Sequence, residues 1–232
     1  MKELALSHSK VNTFDLCPRQ YKLQYIDKAF PFDGDNPYFI KGQKLHKQLE
    51  DYVIAKLSGD DKNLPKLSAA ARNATGIIDN LMAKFPDAYP EQKLCVDKAY
   101  KKCAWFDNSK AYWRAIIDFL VMSETEAVVI DWKSGKVRNY DGWGGQLHLT
   151  AFLLFMLKPK LEVITSAYLY IEHKQTVPVK LTRDDLPKLK AYFEAKYIEV
   201  NSDTEFEPKR NQYCNYCQAT PTQCKYKVQR EI

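Results

Sequence analysis

Apolar residues recur at three- and four-residue spacing through the first part of the chain, and at two-residue spacing after residue 92 or so. Residues 9–26 (SKVNTFDLCPRQYKLQYI) predict two short helices, with Ser9 capping the first and Pro18 in the opening turn of the second. A Pro/Gly/Asp-rich connection, FPFDGDNP, follows. Over 38–57, Leu45, Leu49, Tyr52, Val53 and Leu57 fall on one helical face and carry His46 on its flank. Residues 68–85 repeat the pattern with Ile77, Ile78, Leu81, Met82 and Phe85. The segments KLCVDKAY, KKCAWF, AYWRAIIDFLVM and EAVVIDWK then predict successive strands, with a DNSK turn between the second and third. GWGGQLHLTAFLLFML begins as a glycine-rich turn and becomes a strongly apolar helix. EVITSAYLYIEH and TVPVKLT predict a hairpin, and RDDLPKLKAYFEAKYIEV an amphipathic helix with Asp184 or Asp185 near its start. Helices, then β-β-β-α-β-β, then a helix and a cysteine-rich tail predict an α/β sandwich around a small mixed sheet. There is no internal repeat and no low-complexity tract.

The alternation has one awkward point. In EAVVIDWKSGK, a short β-branched run ends in Asp131, Trp132 and Lys133 before a Ser134-Gly135 turn. A period of two puts Asp131 and Lys133 on one face and Trp132 on the other. The preceding strand, AYWRAIIDFLV, places Trp113, Ala115, Ile117, Phe119 and Val121 on one face and carries Asp118 on the other. Adjacent strands can thus deliver two carboxylates and an ammonium to one small site. Hard cations such as Mg²⁺ take carboxylate oxygens, and a nearby lysine can handle water or offset charge on phosphorus. An isolated Asp-x-Lys serves equally well as a strand-edge ion pair.

Composition narrows the setting. The 232 residues are 45% hydrophobic, enough for one large domain or one with appendages. No apolar run approaches the roughly 18 residues of a membrane span. MKELALSHSK lacks the apolar core of a signal peptide, so a soluble cytoplasmic protein is expected. A formal charge of +6 with 35 Lys+Arg is compatible with a polyanionic partner without specifying one. Of the six cysteines, Cys95 and Cys103 fall in predicted strands and read as small buried hydrophobes. Cys214, Cys217 and Cys224 crowd into the tail and argue for a metal rather than disulfides. Cys17 is the sixth. The tail also carries Lys209, Arg210, Lys225, Lys227 and Arg230, either a DNA-contacting surface or a solvated face.

Read together, these pieces resemble the PD-(D/E)XK nuclease superfamily, and within it the RecB-like branch with an iron–sulfur cluster, which includes CRISPR-adaptation nucleases and phage exonucleases. SKVNTFDLCPRQYKLQYI is similar to that branch's N-terminal signature, GQKLHKQLE to its histidine helix, IIDFL and VVIDWKSGK to its acidic and lysine motifs, and GGQLHLTAFLL to its glutamine helix. The resemblance implies a restriction-endonuclease-like α/β core, with residues 1–90 a helical N-terminal part, 91–200 the nuclease core and 201–232 a cluster-binding tail of one domain. It implies a Mg²⁺- or Mn²⁺-dependent deoxyribonuclease, an exonuclease on single-stranded DNA ends. His46, Asp118, Asp131 and the Trp132 carbonyl would hold the metal, Lys133 would handle the attacking water, and Gln146 would support it. Cys17 would join Cys214, Cys217 and Cys224 around a [4Fe–4S] cluster, although four cysteines serve Zn²⁺ equally well by spacing alone. Partners would be DNA and a helicase, recombinase or CRISPR-adaptation protein, since no G-x-x-x-x-G-K-[ST] motif is present. The alternative is a non-catalytic DNA-binding or assembly module that keeps the fold.

Two positions depart from the branch's pattern. Ala115 stands where a glycine is usual, and Thr150 where a tyrosine follows the glutamine by one helical turn. His8, His148 and His173 read as structural. Glu91, just ahead of the first strand, reads as a solvated acid, with a supporting role behind the metal ligands as the alternative.

Overall fold

Strand pairing starts earlier in the chain than the alternation predicts. In the computed structural model, which describes residues 3–30, 36–60, 62–137 and 142–227, β1 spans Asp87–Val96 and pairs antiparallel with β2, Trp113–Met122. β3 (Glu126–Lys133) is antiparallel to β2, β4 (Val163–Tyr170) parallel to β3, and β5 (Gln175–Thr182) antiparallel to β4. The mixed sheet therefore has the order 1-2-3-4-5. Parallel neighbours need a crossover, which the apolar helix Gln146–Leu157 supplies between β3 and β4.

KKCAWF, expected as a strand, is instead a loop with one bridge between Val96 and Lys102. Asp97 ends β1 because its carboxylate accepts from the N–H groups of Ala99 (2.9 Å) and Lys101 (2.8 Å). Tyr100 then takes a left-handed φ of 58°, and β2 already occupies the inner edge of β1. Pro90 is tolerated within β1 because the strand lies at the sheet edge.

The helices are α1 (His8–Leu16), α2 (Pro18–Tyr21, running into a π-turn), α3 (Pro37–Leu57), α4 (Ala69–Lys84), α5 (Gln146–Leu157) and α6 (Leu186–Ser202). Ser7, not Ser9, occupies the N-cap of α1. Asn36 caps α3 through the Tyr38 N–H (3.0 Å), and Ser68 caps α4 through the Ala71 N–H (3.2 Å). Most of the FPFDGDNP connection, and Arg230, lie outside the described residues. Among the described residues no helix is long and apolar enough to cross a membrane.

Trp113, Ile117, Phe152, Phe155 and Phe193 build the core between one sheet face and α1, α5 and α6. Leu49, Val53, Ile78, Phe119 and Trp132 build a second core under α3 and α4. Helix α5 is apolar on every side because it is sandwiched: Phe152 stacks on Phe193 of α6 at 5.2 Å, and each such ring contributes about 2 kcal/mol by burial. This helix–sheet–helix layering is that of a restriction-endonuclease-like α/β fold.

One expectation about faces is corrected. Trp113, Ala115 and Ile117 pack under α5 and α6 as the alternation predicts. Phe119 and Val121, expected beside them, pack under α3 and α4, while Leu120 and Met122 take the first face. The phase slips at Asp118. Opposite it on β1, Glu91 adopts φ 46°, and the β2–β3 ladder runs only from Phe119↔Ile130 to Met122↔Ala127. On the Asp118 side of that pair the two strands part. The Trp132 N–H, with no ladder carbonyl to meet, donates to Asp118 Oδ2 at 2.8 Å.

Candidate active site

The parting strands floor a groove of about 1010 Å³, which His46, Glu91, Asp118, Asp131, Trp132, Lys133 and Gln146 all line. His46 projects from α3 between the two strand ends. Its Nδ1 lies 3.3 Å from Asp118 Oδ1 and its Nε2 3.0 Å from the Trp132 carbonyl oxygen. The ring thus spans from the β2 carboxylate to the β3 carbonyl. Burial alone would lower the His46 pKa, but the Asp118 hydrogen bond and the Asp118 and Asp131 charges outweigh it and raise the value.

Asp131 and Lys133 share a face as the period of two requires, and Trp132 points the other way, stacking on Phe119 at 5.9 Å. Asp131 Oδ2 lies 2.5 Å from Lys133 Nζ, and Oδ1 accepts from Gln146 Nε2 at 2.5 Å. Lys133 also donates to Gln146 Oε1 at 3.1 Å. Gln146, at the first position of α5, therefore reads the acid and the lysine at once. Burial pushes the Asp131 carboxyl up to about 6 against the opposing charge of Lys133.

Thr150 does not take the place of the branch's tyrosine. Its hydroxyl bonds the carbonyls of Leu147 (3.0 Å) and Gln146 (3.3 Å) on its own helix. The aromatic contact to Lys133 comes from β4, where Tyr168 pairs with Asp131 and sets its ring centroid 4.7 Å from Nζ.

Glu91 is the residue whose surroundings the sequence misjudged. It lies within β1, not ahead of it, and ligand atoms of His46, Glu91 and Asp118 all lie within 4.8 Å of one another. Burial, then the charges of Asp118 and Glu50, raise its pKa. Only the β1–β2 register brings it opposite Asp118, and no local pattern carried that information. One imidazole and two carboxylates at such range form a donor set that suits a hard divalent cation. Of the remaining histidines, His8 lines the rim of the groove, and His148 is buried against Trp143 at 4.6 Å.

The structure also gathers Cys17, Cys214, Cys217 and Cys224 around one small cavity at the C-terminal end of α1. The Lys209 N–H donates to Cys17 Sγ (3.4 Å) and the Asn211 N–H to Cys214 Sγ (3.3 Å). The Asn211 side chain ties the tail to the Leu16 carbonyl at 2.9 Å. Among the described residues no three of these sulfurs lie mutually within 4.8 Å. Cys95 and Cys103 form a separate pair with sulfurs 3.0 Å apart, Cys95 buried and Cys103 half-buried.

Paired acids with a lysine two residues on, held where a mixed sheet parts, define the class of metal-dependent nucleases. The sequence matches the PD-(D/E)XK nuclease superfamily over residues 5–224, and the protein belongs to that superfamily. Among solved structures it is similar to one titled "Putative exonuclease" from Eubacterium rectale, at 13% identity and a TM-score of 0.50, covering 100% of this chain and 91% of that one. That likeness shows the fold. A second structure, titled SSO0001, is 17% identical with a TM-score of 0.42, covering 94% of this chain and 84% of the other. No curated protein matches the sequence.

Proposed function

We propose that the protein is a Mg²⁺- or Mn²⁺-dependent deoxyribonuclease that acts as an exonuclease on single-stranded DNA ends. The observation that carries this reading is the convergence of His46, Asp118, Asp131, Lys133 and Gln146 in one groove where β2 and β3 part. His46, Asp118, Asp131 and the Trp132 carbonyl would hold the cation, with Glu91 joining them from β1. These donors fit it: they are hard oxygens plus one imidazole, and the His46 ring already bridges the carboxylate and carbonyl that the cation would take. Bound there, the cation supplies Lewis-acid stabilisation of charge on phosphorus and activation of water. Lys133 orients that water and offsets charge on the non-bridging phosphate oxygens. Asp131 and Gln146 hold its ammonium in place, so little reorganisation is needed during attack. The preference for single-stranded ends rests on the resemblance to the RecB-like branch, and a helicase or other partner would supply the unwound strand.

The test is digestion of end-labelled linear and circular DNA, single- and double-stranded, with Mg²⁺, Mn²⁺ or EDTA. Expected are metal-dependent shortening of linear single strands, resistance of circles, and loss of cleavage in Asp131→Ala with DNA binding retained. Full activity of Asp131→Ala, with contaminating nuclease excluded, would overturn the assignment.

The four-cysteine cavity is read as a [4Fe–4S] site that staples the two ends of the chain. Four cysteines around one cavity serve Zn²⁺ equally well, and the iron reading rests on the resemblance to the RecB-like branch. Backbone N–H groups aimed at Cys17 and Cys214 suit thiolates that carry cluster charge. Brown protein with broad visible absorption and stoichiometric iron after anaerobic purification is expected, and a colourless stoichiometric zinc protein would refute the iron assignment.

A further inference from the structure

We propose that Arg114 and Lys10 form a phosphate-binding subsite that anchors the bound strand at a distance from the cut; this deepens, and rests on, the nuclease reading. Arg114 and Asp118 both line the groove and lie four residues apart on β2, about 13 Å at a strand's rise per residue. The subsite is therefore separate from the cation ligands but continuous with them. The N-terminal segment is laid along the start of β2 by hydrogen bonds from the Leu6 N–H to the Tyr112 carbonyl (3.0 Å) and from the Arg114 N–H to the Leu6 carbonyl (2.8 Å). That pairing brings Lys10, in the first turn of α1 and also lining the groove, close enough to Arg114 for the two charges to repel.

The two cations are held but not neutralised. The Arg114 guanidinium stacks on Trp105 at 5.7 Å and donates to the Asn108 side-chain oxygen at 2.9 Å, both neutral partners. Its Nε is buried with no hydrogen-bond partner among the described residues. Lys10 donates to the Ala5 carbonyl at 2.6 Å and sits 5.6 Å from the Tyr25 ring centroid, again neutral partners. No ion pair of either residue with a carboxylate occurs among the described residues, although such pairs are common elsewhere on this surface. Burial, and then the Arg114 charge, pull the Lys10 pKa down to about 8. An anion between the two would relieve that repulsion. A guanidinium already locked by stacking and one hydrogen bond loses little freedom on binding it. In a groove that takes nucleic acid, the anion available is a backbone phosphate, either a diester within the strand or the monoester at its end.

Fluorescence anisotropy with a labelled single-stranded oligonucleotide, in Ca²⁺ and over a salt series, tests this. Arg114→Gln and Lys10→Gln are each expected to weaken binding about tenfold and to reduce the log–log salt slope by about 0.7, one phosphate contact each. Lys160→Gln, on a remote loop beside Glu124, controls for net charge. Oligonucleotides with 5′-phosphate, 5′-hydroxyl and circular form separate the two phosphate sources: a defect confined to phosphorylated ends marks a terminal monoester, and an equal defect on circles marks an internal diester. Melting curves matching the wild type exclude misfolding, and either substitution suffices if the other fails to fold. Wild-type affinity and slope in both substitutions, or an equal loss in Lys160→Gln, would overturn the subsite alone. Failure of the wild type to bind or cleave any DNA would instead overturn the nuclease reading, and this inference with it.

Discussion

Lys133→Met separates what the lysine does for the fold from what it does for chemistry. In the native protein its ammonium lies 2.5 Å from Asp131 Oδ2. The Asp131 residue is 7% exposed, so the substitution leaves a nearly buried carboxylate facing a thioether. Removing one partner of a fully buried pair costs about 3–5 kcal/mol. The Lys133 side chain is 33% exposed, so water recovers part of this, leaving about 2–3 kcal/mol. For a chain of this size that is a fall in Tm of roughly 4–12 °C, read by calorimetry in EDTA at about pH 8.5, well above the Asp131 value of about 6, so that protonation does not relieve the stranded charge. Adding Asp131→Asn removes the stranded charge while keeping an acceptor for Gln146, so the double variant is expected to regain about 2 kcal/mol over Lys133→Met. Cleavage is expected to fall by about a thousandfold or more in both variants, because the regained stability restores neither the lysine nor the carboxylate. A Lys133→Met protein that melts with the wild type would refute the energetic reasoning. A double variant no more stable than the single would do the same, and near-normal cleavage by Lys133→Met would refute the chemical role.

Three other outcomes are expected. Glu91→Gln weakens Mn²⁺ binding about tenfold by titration calorimetry with little change in Tm, and unchanged affinity would remove Glu91 from the cation's surroundings. Gly144→Ala destabilises by about 2–3 kcal/mol, since φ is 87° there and a Cβ would lie 2.1 Å from the Tyr192 ring; Tyr192→Ala in the same chain relieves the overlap but not the backbone strain. His148 has its pKa pushed down to about 4 by burial, below its unfolded value near 6.5. Its share of stability is therefore fully present above pH 6.5 and is lost as pH falls towards 4, about 2–3 kcal/mol in all. Denaturation midpoints measured from pH 7 to 4.5 should show this slope flattened in His148→Leu.

Local pattern carried most of the architecture, because a helix or strand face is a property of neighbouring residues. The helices near residues 38–57 and 68–85, the β3–α5–β4 order and the 163–182 hairpin are all present where periodicity placed them. Asp118, Asp131 and Lys133 stood out for the same reason: polar groups at the ends of apolar runs need an account, whereas His46 and Gln146 were singled out by the resemblance to the nuclease branch. Periodicity failed where pairing decides. KKCAWF has a strand's composition, but β2 had already taken the edge it would have used. Phe119 and Val121 changed faces because the β2–β3 ladder parts at Asp118. Glu91, Tyr168 and the Arg114–Lys10 pair entered the groove through strand register and through the N-terminal segment lying along β2. The amino-acid order alone determined which residues could do chemistry; the tertiary structure decided which of them meet. Register and chain-end docking are contacts between distant segments, selected by burial over the whole core, and no short window of sequence contains them.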